Sequence, residues 1–195
     1  MKHYEFDCGC CFDVLDENHP VISSQTGMPS INFDINQVSY ECEKTWDLIS
    51  SGRTKGTFQL ESNLGKSWAK RIRPRNIEEL AALIALIRPG CLKAVTDGKS
   101  MTQHYVDRKN GLEEVSYLHE SLEPILKSTQ GVLVYQEQSM QIAQIVAGFD
   151  LQQGDDLRKA IGKKQAGLMS KVKESFLTGA AREGIVTTEV AEEIF

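Results

Sequence analysis

The sequence predicts a mainly α-helical protein with a small β-containing segment at its N-terminus. Before residue 40, turn-forming residues separate two short runs, residues 12–15 and 31–35, in which apolar and polar positions alternate as in strands. After residue 43, apolar residues recur at helical spacing between capping and stop signals. We therefore expect a strand-and-loop segment at residues 1–42, with a loop near 23–30, and a helical domain at residues 43–195.

The N-terminal segment holds a cluster of candidate metal ligands. Cys8, Cys10 and Cys11 lie together, and His19 follows them. One interpretation is a zinc site with Cys42 as a distant fourth ligand, although the paired two-residue spacing that is usual for structural zinc is absent. The other interpretation is a hairpin with reduced thiols, because an odd total of five cysteines argues against a disulfide framework.

Three helices are expected in the first part of the helical domain. The first spans Glu43–Ser50, and the second spans Asn63–Ile72 with Ser62 as its N-cap. The third begins after Asn76 and stops before Pro89, since proline disfavours helical backbone in the preceding residue. This third run is apolar nearly all round, which is typical of a buried helix.

The second part of the helical domain is expected to alternate loops and helices. Residues 91–115 are polar and rich in loop formers, with a helical turn at 103–108. A short helix at 121–127 and a brief strand or turn at 131–134 precede an amphipathic helix over Gln136–Ala147. Helices follow at 155–161, at 166–182 and from residue 188. The apolar stripe of the last helix predicts that it docks on its own domain, that the natural fold continues beyond Phe195, or that it packs on another chain.

Composition excludes several classes of protein. With 195 residues, 41% hydrophobic and 25% charged, the chain is an ordinary globular protein. It has no apolar run that could span a membrane and no signal-peptide core at its start, so we expect a cytoplasmic protein without a membrane partner. The net charge of −5 is uneven, because residues 1–50 carry −7 and the rest carry +2. Local basic patches therefore decide whether the chain binds nucleic acid.

One such patch stands out between residues 157 and 173. It contains six cations and no carboxylate. Such a cluster repels itself unless an anion lies opposite it. On a helix, Arg158, Lys159 and Lys163 come within a turn of one another, so they can converge on one polyphosphate. The alternative is a solvated basic face, which is what most charge runs are.

Four segments, in this order and spacing, resemble the C family of DNA polymerases, the alpha subunits of bacterial DNA polymerase III. The segments are TKGTFQLES at 54–62, ALIRPG at 85–90, GVLVYQEQ at 131–138 and LRKAIGKK at 157–164. The run from Asp107 to Gly111 adds to the match, which covers residues 33–195. The compact form is similar to phage versions of the family.

The resemblance implies a helical fingers domain that binds the incoming deoxynucleoside triphosphate and the primed template. It implies that Arg158 and Lys159 contact the triphosphate, although family members often carry two arginines where this chain has Arg158 and Lys159. Lysine keeps the charge but lacks the bidentate fork of arginine. The remaining implied nucleotide-binding residues are Arg88, Tyr135 and Gln138, and the implied DNA-binding residues are Lys66, Lys70, Arg71, Arg73, Lys163 and Lys164.

Each of these residues also has a plainer interpretation. Tyr135 offers a stacking face for a base, or it is a core tyrosine with a satisfied hydroxyl. Gln138 is a contact to the nascent base pair or an ordinary helix-surface amide. Arg88 faces the nucleotide pocket, or it is a helix-end cation that interacts with the helix dipole.

The resemblance also implies Mg²⁺, but the metal-binding part of the enzyme is not visible in this sequence. The family's palm carries aspartates for two metal ions, of which two should lie upstream of residue 1. Asp7 is the one candidate for the third, about fifty residues before Phe58. We therefore expect an incomplete polymerase, inactive alone, whose partners are primed DNA, nucleoside triphosphates, a palm-containing chain, the sliding clamp and other replisome subunits.

Two alternatives to an incomplete polymerase stay open. The first is a non-catalytic regulator that keeps the fingers fold and binds DNA or the host polymerase. The second is a helical protein whose basic patches only aid solubility. Salt-insensitive or absent DNA binding would support the second.

Overall fold

The protein is mainly α-helical, as the sequence predicts. Its structure is a computed structural model that describes residues 2–5, 11–14, 40–163 and 166–195. The α-helices are α1 (Glu43–Ser50), α2 (Asn63–Ile72), α3 (Ile77–Leu86), α4 (Pro89–Lys93), α5 (Met101–Lys109), α6 (Glu123–Leu126), α7 (Gln136–Ala147), α8 (Leu151–Lys163), α9 (Ala166–Glu183) and α10 (Thr188–Ile194).

A two-stranded antiparallel sheet begins the chain. Strand β1 (Lys2–Glu5) pairs with β2 (Cys11–Val14) so that Lys2 lies opposite Val14. The strand expected near residues 12–15 is therefore present, one residue earlier than predicted. The second expected strand at 31–35 and the loop at 23–30 lie outside the described residues.

The chain divides into two compact units, one ending at Leu83 and the other starting at Ile84. This division does not coincide with the domain boundary expected after residue 42. That boundary stays a prediction, because residues 15–39 lie outside the described part.

In the first unit, α1 and α2 pack against each other through a small aromatic core. Trp46, Ile49, Trp68 and Ile72 are buried there. Helix α2 begins where predicted, because the Ser62 hydroxyl accepts a hydrogen bond from the Gly65 amide at 3.0 Å. These contacts fix the register of α2 and thereby the side of the helix on which its cations lie.

Helix α3 starts as expected but is less buried than expected. The Asn76 Oδ1 atom accepts a hydrogen bond from the Glu79 amide at 2.8 Å, which caps the first turn. Leu83 and Leu86 are fully buried, whereas Ile77 is 41% exposed. The prediction of a helix buried all round is therefore wrong for its first turn, because apolar composition does not by itself determine which faces are covered.

The second unit holds the larger core, formed by α6 to α10. Helix α9 lies against α7, α8 and α10. Phe149 and Phe176 meet edge to face with ring centroids 6.0 Å apart, and Phe195 contacts Phe176 at 5.3 Å. The stripe of the last helix thus docks on its own unit. The other buried residues of this core include Leu122, Ile142, Val146, Leu157, Ala160, Val172, Ala180 and Ala191.

Residues 91–115 are more ordered than the sequence predicts. Pro89 stands at the first position of α4, where a missing amide hydrogen costs nothing. A hairpin of β3 (Val95–Thr96) and β4 (Lys99–Ser100) follows, and it leads into α5. The expected helical turn at 103–108 is the middle of α5. Residues 131–134 form no strand in the described structure.

Candidate nucleotide and DNA interface

Helix α8 presents its two central cations on its exposed side. Leu157 and Ala160 are buried on the opposite side, in the core of the second unit. The start of α8 is fixed by Asp150, whose Oδ1 atom accepts a hydrogen bond from the Gln153 amide at 2.8 Å. Because 3.6 residues complete a turn, burying Leu157 directs residues 158 and 159 outwards.

One carboxylate contacts both central cations of α8. The Asp155 Oδ1 atom lies 2.7 Å from Arg158 Nη2 and 3.0 Å from Arg158 Nε, and its Oδ2 atom lies 2.7 Å from Lys159 Nζ. Hydrogen bonds from Lys159 and Arg158 lower the pKa of Asp155, and the bond to Asp155 raises the pKa of Lys159. Asp155, which lies just before residues 157–173, therefore pairs with two of the six cations, and Asp156 Oδ1 also lies 3.6 Å from Lys159 Nζ.

Tyr135 is the N-cap residue of α7, and Gln138 holds its backbone in place. The Gln138 Oε1 atom accepts hydrogen bonds from the Tyr135 amide at 3.0 Å and the Val134 amide at 2.9 Å. The Gln138 Nε2 atom donates to Ile125 O at 3.1 Å and to Thr129 Oγ1 at 2.8 Å. The four bonds use the whole hydrogen-bonding capacity of the amide.

This arrangement corrects one of the two interpretations of Gln138. The residue is buried, so it is not a helix-surface amide. Its amide holds the backbone of Tyr135, and a contact from Gln138 to a nucleotide stays a prediction. Tyr135 is half-buried, and burial raises the pKa of its phenol.

The stretch before Tyr135 and helix α8 face the same small apolar cavity. The cavity has a volume of about 110 Å³, and Leu133, Ser139, Leu157 and Ile161 are among its lining residues. The turn that carries Tyr135 is thereby brought beside the helix that carries Arg158. Arg88 lies elsewhere in this unit, exposed at the N-cap of α4 and two residues after the end of α3.

A partly buried ionic network supports the second unit, and the sequence analysis did not predict it. The Glu113 carboxylate lies 2.7 Å from Arg108 Nε, 2.8 Å from His104 Nδ1 and 3.3 Å from Lys99 Nζ. Lys99 Nζ also bonds Asp107 Oδ2 at 2.7 Å. Burial raises the pKa of Glu113, but the bonds from Arg108, His104 and Lys99 outweigh it and lower the pKa to about 2.

The network connects α5 to the stretch that leads to Tyr135. Arg108 Nη1 donates to Gln130 O at 3.1 Å. His104 Nε2 lies 2.9 Å from Thr96 O in the hairpin. Because the network ties these three segments together, it fixes the backbone a few residues before Tyr135.

The first unit carries the other expected cations, on and just after α2. Arg71 lies over the Trp68 ring at 4.3 Å, and Arg73 Nε donates to Lys70 O at 3.2 Å. A Cβ atom placed on Gly52 would lie 2.6 Å from Lys70 Cε, so the stem of Lys70 runs across Gly52. Lys70, Arg71 and Arg73 are exposed and Lys66 is half-buried. Arg71, Lys70 and Arg73 are thus held by a ring, by a glycine and by a backbone carbonyl, and the four cations lie on or just after one helix.

The N-terminal residues expected to bind metal lie outside the described residues or have no described side chain. Asp7, Cys8, Cys10 and His19 lie outside the described residues, and only the backbone of Cys11 is described, in β2. Lys163 ends α8 without a described side chain, and Lys164 lies outside the described part. Among the described residues, acidic, histidine and cysteine side chains form no group that could hold a metal ion. The described residues therefore do not fit a Mg²⁺ site.

None of the described helices has the length and apolar character needed to cross a membrane.

Comparison with known proteins gives one consistent family. A family model for the bacterial DNA polymerase III alpha subunit finger domain matches residues 13–184. The chain is 38% identical over 177 residues to DNA polymerase III subunit alpha of Staphylococcus epidermidis, a match that covers 91% of this chain and 16% of that protein. It is 40% identical over 177 residues to the protein of that name from Escherichia coli K12, covering 88% and 15%.

The corresponding protein of Aquifex aeolicus is 43% identical over 153 residues, covering 77% of this chain and 13% of the relative. The chain spans about a sixth of the length of the curated relatives that it matches. Because the family model covers most of its residues, the chain belongs to the family of bacterial DNA polymerase III alpha subunits and contains their finger domain.

Proposed function

We propose that this chain provides the fingers of a replicative DNA polymerase, binding the incoming nucleoside triphosphate on α8 and primed DNA on its basic surfaces. The observation that carries the proposal is that Asp155 holds the exposed Arg158 and the half-buried Lys159 together on α8. Nucleotidyl transfer develops negative charge on the departing pyrophosphate, and fixed cations beside it stabilise that charge.

The geometry of α8 suits a compact polyanion. A triphosphate carries several charges, whereas the Asp155 carboxylate carries one, so a triphosphate competes well for Arg158 and Lys159. Both cations are oriented before the ligand arrives, which reduces the entropy that binding costs. Arg158 offers its planar fork, and Lys159 adds a point charge.

Tyr135 is proposed to face the nascent base pair. Its ring is half-buried and its backbone is held by Gln138, so the ring is presented by a rigid turn. A stacking face of this kind accepts every base. Arg88 is proposed to contribute charge at the edge of the pocket.

The basic surface of α2 is proposed to bind the DNA backbone. Lys66, Lys70, Arg71 and Arg73 would neutralise phosphates without reading sequence. Lys163 and Lys164 are proposed to bind DNA phosphates on the second unit. The carboxylates for the two Mg²⁺ ions are expected on a palm supplied by another segment or another chain. Within the replication machinery of a bacterial cytoplasm, such a protein would meet the sliding clamp and other replisome subunits.

Primer extension tests this proposal. The chain is assayed alone and then mixed with a palm-containing chain, in Mg²⁺ and all four deoxynucleoside triphosphates. Extension is expected only on mixing. Failure to extend in both assays, together with inhibition of an intact polymerase, would instead identify a regulator that keeps the finger fold.

A further inference from the structure

Phe58 is the most exposed large apolar side chain among the described residues. Its exposed fraction is 84%, although a phenylalanine gains free energy from burial. It stands in the loop of residues 51–62 that connects α1 to α2 in the first unit.

The loop presents Phe58 rigidly. The buried Thr54 hydroxyl donates to Leu60 O at 2.6 Å, and Thr57 O accepts from the amides of Leu60 and Glu61 at 3.1 and 3.0 Å. Leu60 is only 1% exposed and anchors the turn in the core. Phe58 therefore projects from a hydrogen-bonded turn and not from a loose connection.

The first turn of α2 packs closely on the backbone of the turn that carries Phe58. Gln59 has a φ of 62°, a left-handed conformation that is uncommon for a residue with a side chain. A Cβ atom on Gly65 would lie 2.7 Å from Gln59 O and 2.9 Å from Leu60 Cα, so the backbone of α2 is packed directly on the turn. The strained backbone and this close approach keep the Phe58 ring in solvent.

The charge around the loop selects the partner. Residues 53–75 contain seven basic residues and one acidic residue. Lys66 follows Gly65 directly, at the point where α2 meets the turn. An exposed aromatic ring that is close in sequence to several cations suits single-stranded nucleic acid, which offers both phosphates and unstacked bases.

We infer that Phe58 stacks on an unpaired base of single-stranded DNA while the cations of α2 bind the flanking phosphates. The inference rests on the DNA binding proposed above and adds the contact that recognises the unpaired template. A base stacks on a rigid ring at little entropic cost, which explains why the fold holds Phe58 outwards.

The test measures binding of a fluorescent oligothymidine to the full chain at several salt concentrations. Phe58→Ala should weaken binding about tenfold and leave the salt dependence unchanged, because it removes no charge. Phe58→Trp should keep the affinity, and its added fluorescence should be quenched by the oligonucleotide. Leu112→Ala is the matched control, since Leu112 is 77% exposed and lies in the other unit.

The outcomes separate this inference from the proposed function. Lys66→Ala combined with Lys70→Ala should reduce the salt slope. If that happens while Phe58→Ala binds DNA like the wild type and Phe58→Trp shows no quenching, DNA binding stands and stacking by Phe58 is rejected. Loss of association with a palm-containing chain in Phe58→Ala, with DNA binding intact, would make the ring a protein contact and overturn the inference. Absence of DNA binding by the wild type would overturn both.

Discussion

The two units hold their cations in different ways, and the difference is consistent with the two kinds of anion proposed for them. On α8, one carboxylate binds both Arg158 and Lys159 in a small, fixed group. On α2, the cations lie along a helix, with Arg71 over the Trp68 ring and the stem of Lys70 across Gly52. A focused pair suits one polyphosphate, whereas a spread surface suits a DNA backbone.

The strongest test of this comparison removes the two groups separately. Arg158→Ala combined with Lys159→Ala should weaken triphosphate binding by about 100-fold or more, because two charge-assisted bonds of roughly 1.5–3 kcal/mol each are lost. Binding to duplex DNA should fall only a few-fold. Lys66→Ala combined with Lys70→Ala should give the reverse pattern. Isothermal titration with a non-hydrolysable triphosphate, beside anisotropy with DNA, measures both.

A matched control guards against a general charge effect. Lys127 is a surface cation of the second unit that is paired with Glu123 at 3.4 Å. Lys127→Ala should change neither kind of binding. Equal losses of nucleotide and DNA binding in the Arg158 and Lys159 double variant would reject the assignment of α8 to the triphosphate.

The hydrogen bonds within the two units differ as well. In the second unit, we expect substitution of Gln138 to destabilise the fold strongly. Gln138→Ala should lower the free energy of unfolding by about 2–3 kcal/mol, because it leaves the Val134 and Tyr135 amides without their acceptor. Urea denaturation measures the loss. Gln144→Ala, at a half-buried position of the same helix, should cost less than about 1 kcal/mol. An equal effect of both changes would contradict the positioning role of Gln138.

Much of this architecture could be predicted from the sequence, because its signals are local. The Ser62 and Asn76 caps and the periodicity of Gln136–Ala147 give helix bounds that the structure confirms. The ionic network could not be predicted, since it joins residues from Lys99 to Gln130 through tertiary contacts. The burial of Gln138 could not be predicted, because a helical pattern does not show which face meets a neighbour. The pairing of Asp155 was not predicted because this residue lies two positions before the basic stretch at 157–173.

Because the network around Glu113 is ionised, its contribution to the stability of the fold should depend on pH. The neutral hydrogen bond from Thr54 to Leu60 in the first unit should not have this dependence. The pKa of Glu113 is about 2 in the folded chain, below its ordinary value of 4.5, so its bonds stabilise the fold above about pH 4.5 and are lost as the pH falls towards 2. Glu113→Gln should therefore destabilise the protein at pH 6 and much less at pH 2.5. Chemical denaturation across this range measures the difference.

Part of the slope should remain in the Glu113→Gln variant. The bond from Lys99 also lowers the pKa of Asp107, so that carboxylate contributes in the same direction. Thr54→Val, which removes the neutral bond to Leu60 in the first unit, should lower stability equally at both pH values. A Glu113→Gln variant whose loss of stability does not depend on pH would show that the network acts through packing and not through its charge.

The smallest expected effect is that of Asp155→Asn on triphosphate binding. Whether binding becomes tighter or weaker shows how the carboxylate acts on Arg158 and Lys159. Asp155→Asn removes the charge that competes with a triphosphate for Arg158 and Lys159, so triphosphate binding at low salt should become two- to threefold tighter, an order-of-magnitude expectation for an exposed charge. The melting temperature should hardly change, because the pair lies on the surface. Raising the salt concentration should abolish the gain, since exposed charges are screened. Weaker binding would instead mean that the carboxylate positions the cations, and α8 would then depend on its acid for geometry as α2 depends on Trp68 and Gly52.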